Sequence, residues 1–454
     1  MAKYLRKFET SAAYTTEEST LIKPNVSYIV ETNDVKYKPT LPFNIIMYTA
    51  SSKLTELDSG TDVNGLHVNA FNTTIKSHVF ENGVGTIKFN GNVTSVGDWA
   101  FNGCSDMTAI EIPNSVTNIG GRAFRKTSIT KIDIPNGVTS IGNRAFSNCT
   151  GLTSITIPSS VTIIDEAVFH SCSGLTNITI PDSVTTSIGQ YTFQDCTSLT
   201  SITIGSGVTS IDKSAFYRCS GLISVTIPNG VTSIGISAFR GCSSLTSITI
   251  PDSITSIGDG AFNGCSSLTS ITIPSSVTSI SEFTFMDCTS LKRLNSDIDG
   301  VFNIPNSVTS IGNNAFDNCY SLTSITIPSG VTSIGEYTFY GCSGLTRLNS
   351  DIDGVFNIPS NVTSIGFAAF YICSSLTSID IPSGVTSIGD GAFNGCSSLT
   401  SITSHATTAP TIQSNTFQNV KTNGTLTVPN GSTGYDVWMG TGNYYLGKYG
   451  WTME

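Results

Sequence analysis

Residues 268–290 read LTSITIPSSVTSISEFTFMDCTS, and this stretch decides the fold. Leu268, Ile271 and Ile273 are apolar, and Ser270 to Ile273 alternates polar and apolar, as in a half-buried strand. Pro274 stops the strand, because proline has no N–H for a sheet ladder. A second extended piece follows, with Val277 and Ile280 turned inward. Thr284 and Phe285 bend the chain back, and Cys288 sits at the corner. Working outward, cysteines fall at 104, 149, 172, 196, 219, 242, 265, 288, 319, 342, 373 and 396. Most spacings are 23 residues; the first, 45, spans two units, with Lys126 in the place of the missing cysteine. Phenylalanine keeps the same beat at 101, 124, 146, 169, 193, 216, 239, 262, 285, 316, 339, 370 and 393, and Phe417 continues it in a degraded copy. A fixed period of this length means stacked coils, each too small to bury its own apolar face.

The spacing of Leu268, Ile271 and Ile273 is that of a leucine-rich repeat. The expected fold is therefore a leucine-rich-repeat solenoid, mainly β. It has one short parallel strand per coil of about 23 residues, joined by irregular or 3-10 turns. Residues 94–403 form the solenoid. Residues 41–93 are a cap with a first degenerate repeat, and residues 404–454 are an aromatic-rich C-terminal cap. Residues 1–40 carry no repeat letters and stand apart.

Composition narrows the function. The chain has 454 residues, 22 Lys+Arg and 32 Asp+Glu, for a net charge of −10. An acidic balance argues against nucleic acid, whose phosphates need a basic face. No apolar run approaches the length of a membrane span, and residues 1–20 lack the apolar core of a secretory signal. Four scattered histidines, without HExxH, GxSxG or a P-loop, give enzyme chemistry little to stand on. No cofactor is implied.

Several features have two readings. Twelve cysteines suit a disulfide framework, but a repeated corner position suits a ladder of free buried thiols. The insertions at Asn295, Asp297, Asp299 and at Asn349, Asp351, Asp353 match the first half of a calcium loop. Residue twelve is Asn306 or Ser360 rather than Glu, so an Asp-Gly hairpin is the plainer reading. Two residues before the repeated Phe stand Trp99, Arg122, Arg144, Tyr191, Phe283 and Tyr337. One residue after it stand Tyr217, Arg240, Tyr340 and Tyr371. Positions that vary among near-identical copies are not held by the core. They are either drifting surface or a contact edge, and their residue types are those of interface hot spots. Tyr435, Trp438, Tyr444, Tyr445 and Trp451 are either a lid on the last coil or a stacking platform.

The recurring pattern, quoted at Ile250-Pro251 through Ile254, Ile257-Gly258, Ala261-Phe262 and Cys265, resembles the BspA-type leucine-rich repeats of bacterial and protist surface proteins. The resemblance implies binding to proteins, cells or surfaces, without catalysis. The N-terminal Leu5–Thr10, Lys23–Ile29 and Asn33–Tyr37 resemble the leader of virion-associated proteins in phages of gut bacteria. That resemblance implies a phage virion component, such as a tail or head fibre. Residues 1–40 would bind other virion proteins, and the rod or C-terminal cap would meet a bacterial surface protein or glycan. The alternative is a bacterial surface adhesin. Assembly into a homo-oligomer stays open, since no coiled-coil heptads occur.

Overall fold

The computed structural model describes residues 30–32, 35–37, 41–57, 65–295, 302–349, 354–442 and 444–454. It is a mainly-β solenoid of about 15 coils with almost no helix. The chain divides into two compact units, Met1–Leu175 and Thr176–Glu454. Of residues 1–40, only an antiparallel pair, Val30–Thr32 with Val35–Tyr37, is described; the rest of the expected attachment segment lies outside the described residues.

In the first unit the cap is antiparallel. Ile75–Glu81 and Val84–Phe89 form a hairpin whose two-residue loop is Asn82-Gly83. Both loop residues have positive φ, +51° and +81°, the geometry that Asn-Gly supplies to a two-residue hairpin. Ile45–Thr49 pairs antiparallel with Val84–Phe89 on one side and with Ala109–Glu111 on the other. Ala109–Glu111 then opens a parallel ladder through Lys131–Asp133 to Ser154–Thr156. The cap thus pairs an edge that would otherwise stand open.

Each coil has three legs. The first carries the alternating strand, as in Ser247–Thr249 with its exposed–buried–exposed pattern. The second leg also pairs, which the expectation of one strand per coil did not include. Ser95–Val96, Asn118–Ile119, Ser140–Ile141 and Ile163–Ile164 form a parallel ladder in the first unit. Ser333–Ile334, Ser364–Ile365 and Ser387–Ile388 do so in the second. The third leg is built of turns rather than 3-10 helix. The only 3-10 helix among the described residues is Leu446–Tyr449, in the C-terminal cap.

The phenylalanines of the third leg form stacks. In the second unit consecutive rings from Phe193 to Phe417 lie 5.1–5.8 Å apart and within 13° of parallel. Phe101, Phe124, Phe146 and Phe169 stack likewise in the first. Both stacks end on a ring set across them. Phe71 meets Phe101 edge-on at 71°, and Trp438 meets Phe417 at 49°.

All twelve cysteines are free and buried. Ten thiols donate to the carbonyl of a neighbouring coil's phenylalanine, at 3.0–3.3 Å. Phe216 O, for example, accepts from Cys219 N of its own coil and from Cys242 Sγ of the next. Cysteine suits the corner because it is a small apolar side chain that still carries a weak donor. The copy without cysteine corrects the expectation about Lys126. Thr127 fills the corner: its hydroxyl donates to Phe124 O at 2.9 Å and lies 3.3 Å from Cys149 Sγ. Lys126, one residue earlier, is exposed. Burial pushes the Cys149 thiol up to about 11 and the Cys104 and Cys242 thiols up to about 12. Thiolate is the reactive form, so at pH 8 the native protein is expected to give almost no reaction with a disulfide reagent. All twelve thiols should react after denaturation. Fast labelling of native protein would contradict the ladder.

The insertions are clipped to the coil before them. Asn295 Oδ1 accepts from Ile273 N at 2.6 Å, and its Nδ2 donates to Ile273 O at 2.9 Å. Asn349 does the same at Ile327, at 2.7 and 3.2 Å. Each insertion sends one phenylalanine inward: Phe302 meets Phe316 at 87°, and Phe356 meets Phe370 at 84°. The amides that would open a calcium loop are therefore engaged by backbone. Asp297, Asp299, Asp351 and Asp353 lie outside the described residues.

Candidate functional site

The third leg owes its shape to two left-handed residues per coil. The first lies two before the phenylalanine, from Trp99 to Gly391, with φ between +51° and +65° in every coil. The second lies two after it and includes Lys126, Arg218, Asp287 and Ile372, at +56° to +60°. A left-handed residue other than glycine costs about 1–2 kcal/mol, and for a β-branched Ile372 the conformation is an outlier. Hydrogen bonds between coils hold it there. In one coil Ser214 N, Phe216 N and Arg218 N donate to Ile236 O, Ala238 O and Arg240 O at 2.8–2.9 Å. Backbone bonding fixes this edge, so its side chains are free to differ.

Most sequence-nominated residues lie on this edge. In the first unit Trp99, Arg122 and Arg144 are half-buried. The Arg122 guanidinium lies 4.4 Å above the Trp99 ring. In the second unit Tyr191 and Tyr217 are half-buried, while Arg240 and Phe283 are exposed. Tyr217 receives Arg218 at 5.2 Å and Arg240 at 6.0 Å. Tyr337, Tyr340 and Tyr371 form a cluster: Tyr340 stacks on Tyr371 at 5.0 Å and 4°, and Tyr337 lies 5.8 Å from Tyr340. The spacing had left out Phe367, which meets Tyr337 edge-on at 5.1 Å, and the exposed Tyr320 and Ile372. It had also left out Lys126 and Arg218. The signal for Lys126, Arg218 and Ile372 was present in the row two residues after the phenylalanine.

The C-terminal aromatics divide. Tyr435, Trp438 and Trp451 are buried, which corrects their nomination as a contact surface. Tyr435 Oη donates to Ala406 O, Trp438 Nε1 to Pro410 O and Trp451 Nε1 to Lys421 O. Buried rings with satisfied polar ends make a lid. Tyr444 is exposed, with Lys448 Nζ 4.2 Å from its ring, and Tyr445 is half-buried.

One buried acid stands in the same row as Tyr340 and Tyr371, one residue after the repeated phenylalanine. Asp317 is 5% exposed. Its Oδ2 accepts from Asn314 Nδ2 at 2.9 Å, and its Oδ1 has no partner. Asn102, Asn263 and Asn394 fill the same row in other coils and are also buried. Burial pushes the Asp317 carboxyl above its usual range; the Asn314 bond pulls it down, and Asp287 pushes it further up. A carboxyl raised in the folded state favours folding when protonated. That benefit fades as pH climbs from the ordinary carboxylate range through the raised value. Asp317→Asn is therefore expected to add about 1 kcal/mol near pH 7. It should also remove part of the fall in stability between pH 4 and 7. Urea midpoints at both pH values check this; a less stable variant at pH 7 would refute it.

Among the described residues, no cluster of three His, Cys, Asp or Glu side chains is placed to hold a metal ion. No helix among the described residues is long and apolar enough to cross a membrane.

Comparison with known proteins follows the repeat. The family model described as BspA type leucine rich repeat region matches residues 73–186, 186–299, 300–353 and 354–439. Among solved structures, the chain is similar to a leucine-rich cell surface protein from Faecalibacterium prausnitzii. Identity is 30%, with 77% of this chain and 89% of that one covered and a TM-score of 0.48. It is also similar to a leucine-rich repeat protein from Bacteroides ovatus, at 28% identity, 84% and 98% coverage and a TM-score of 0.48. No curated protein matches.

Proposed function

Because the chain belongs to the BspA-type leucine-rich-repeat family, we propose that it is a non-enzymatic recognition protein of the bacterial cell surface, binding proteins or glycans through the edge of its coils. One observation carries the binding role. At backbone positions that are alike from coil to coil, the edge presents Trp99, Arg122, Tyr191, Phe283 and Tyr337 where Gly260 and Gly391 also fit. Glycine would relieve the left-handed strain, yet of the thirteen positions from Trp99 to Gly391, where the others are Ala, Ser, Asn or Gly, six carry a bulky aromatic or cationic side chain. Such side chains dominate binding at interfaces. The surface location draws on the family, whose members are typically cell-surface proteins.

A second reading, a phage virion component anchored by residues 1–40, draws on the leader resemblance at Leu5–Thr10, Lys23–Ile29 and Asn33–Tyr37. One experiment separates the two. Antibody against the solenoid should label intact bacteria free of phage, and protease applied to whole cells should remove the label. Recovery only in purified particles, with none on cells, would overturn the surface reading in favour of the virion.

A further inference from the structure

The first unit concentrates positive charge on the edge of two adjacent coils. Arg122, Arg125 and Lys126 belong to one coil and Arg144 to the next, in a chain whose net charge is −10. Arg122, Lys126 and Arg144 form no ion pair among the described residues. All three sit in the left-handed conformation, at +56°, +59° and +56°. Neighbouring coils are about 4.8 Å apart, so these like charges lie close together; the exposed acids Asp98 and Glu166 border the strip, Asp98 Oδ1 accepting from Gly121 N at 2.6 Å and Glu166 O from Arg144 N at 3.0 Å. Arg144 Nη1 donates only to the neutral Asn143 Oδ1, at 3.2 Å.

We propose that this strip is a binding site for an anionic polysaccharide, one bearing sulfate or carboxylate groups along its length. The inference rests on the edge-binding reading above and names the partner for this part of the edge. Guanidinium forks match sulfate and carboxylate oxygens, and stacking on Trp99 holds the Arg122 fork in place. Two features favour a hydrated polyanion. The large hydrophobic side chains that the first unit exposes, Phe43, Val79 and Ile163, lie on the cap and the second leg, so a folded protein partner finds no apolar anchor on this edge. The Trp99 face is covered by Arg122, so nucleic acid finds no open ring on which to stack a base. The second unit differs, since its edge exposes Phe283, Tyr320, Phe367 and Ile372.

The test uses the full chain on immobilised heparin, a sulfated polysaccharide, with the triple variant Arg122→Ser, Lys126→Ser and Arg144→Ser. Serine already occupies these left-handed positions at Ser171, Ser214 and Ser237, so the fold is retained; a thermal melt checks it. Wild type should bind heparin at 150 mM salt and elute as salt rises. The triple variant should bind at least tenfold more weakly, with a shallower salt dependence. Lys131→Ser, which removes a lysine beside Asp133 on the strand leg, should bind as wild type does. Neutral dextran should not bind. Unchanged heparin binding by a folded triple variant would overturn the site. Equal or tighter binding of poly-glutamate or of a single-stranded oligonucleotide would overturn the partner class. Neither result bears on where the protein resides, which the cell-labelling experiment decides separately.

Discussion

Phe216→Ala is expected to lower the stability of the second unit by about 3–5 kcal/mol, the usual loss for emptying a buried phenylalanine site. Phe216 is fully buried. Its ring lies 5.3 Å from Phe193 and 5.1 Å from Phe239, within 9° of parallel to both. Alanine leaves a gap between two parallel rings. Neither can move in to fill it, because the backbone on either side is pinned: Phe216 N donates to Ala238 O, and Phe193 N donates to Ala215 O, both at 2.8 Å. Each coil interacts chiefly with its neighbours, so protection against hydrogen exchange should fall most near residues 193–242. Phe216→Leu, which keeps most of the volume, should cost clearly less. Urea unfolding gives the magnitude and exchange gives the place. A loss below about 1 kcal/mol would mean that the stack is not the source of cohesion.

Trp438→Ala should have a comparable effect, about 3–5 kcal/mol, with a different consequence. The Trp438 ring is fully buried, lies 5.3 Å from Phe417 and 5.2 Å from Tyr435, and spends its one donor on Pro410 O. Its backbone carbonyl accepts from Leu446 N, so the same residue also anchors, through its backbone, the chain that returns to the final strand, Thr452–Met453. Removing it uncovers the Phe417 face. An uncapped repeat array offers its last apolar surface to another copy, so the variant should self-associate as well as melt earlier. Size-exclusion chromatography at several concentrations and a thermal melt test both effects. A variant that stays monomeric and melts like wild type would show that the lid is dispensable.

The interior was legible because apolar letters recur at fixed offsets. The rows of Ile271, Ile273, Val277, Ile280, Phe285 and Cys288 are all buried. The free state of the cysteines was one of two open readings, and their shared corner position was its basis. Lys126 was misplaced for a physical reason. A copy one residue shorter was aligned by its cysteine gap, whereas the phenylalanine is the true reference point and puts Thr127 in the corner. The left-handed residues were invisible. Sequence normally signals that conformation with glycine or asparagine, but here Trp99, Tyr337 and Ile372 adopt it under the pull of bonds between coils. The aromatic residues of the C-terminal cap carried no mark of direction. Only the backbone acceptors at Ala406, Pro410 and Lys421 show that three of the rings point inward.

The repeated bond from cysteine thiol to the phenylalanine carbonyl of a neighbouring coil has a consequence for the gene. In the second unit Phe193 O, Phe216 O and Phe239 O each accept a thiol through the same contact. Recombination between equivalent codons in that run would remove or add one whole coil and leave a junction with the same partners. Array length can therefore drift by whole units without a new interface having to be invented. Each such event would shift every edge side chain beyond it by one rung and change the order in which a partner meets them.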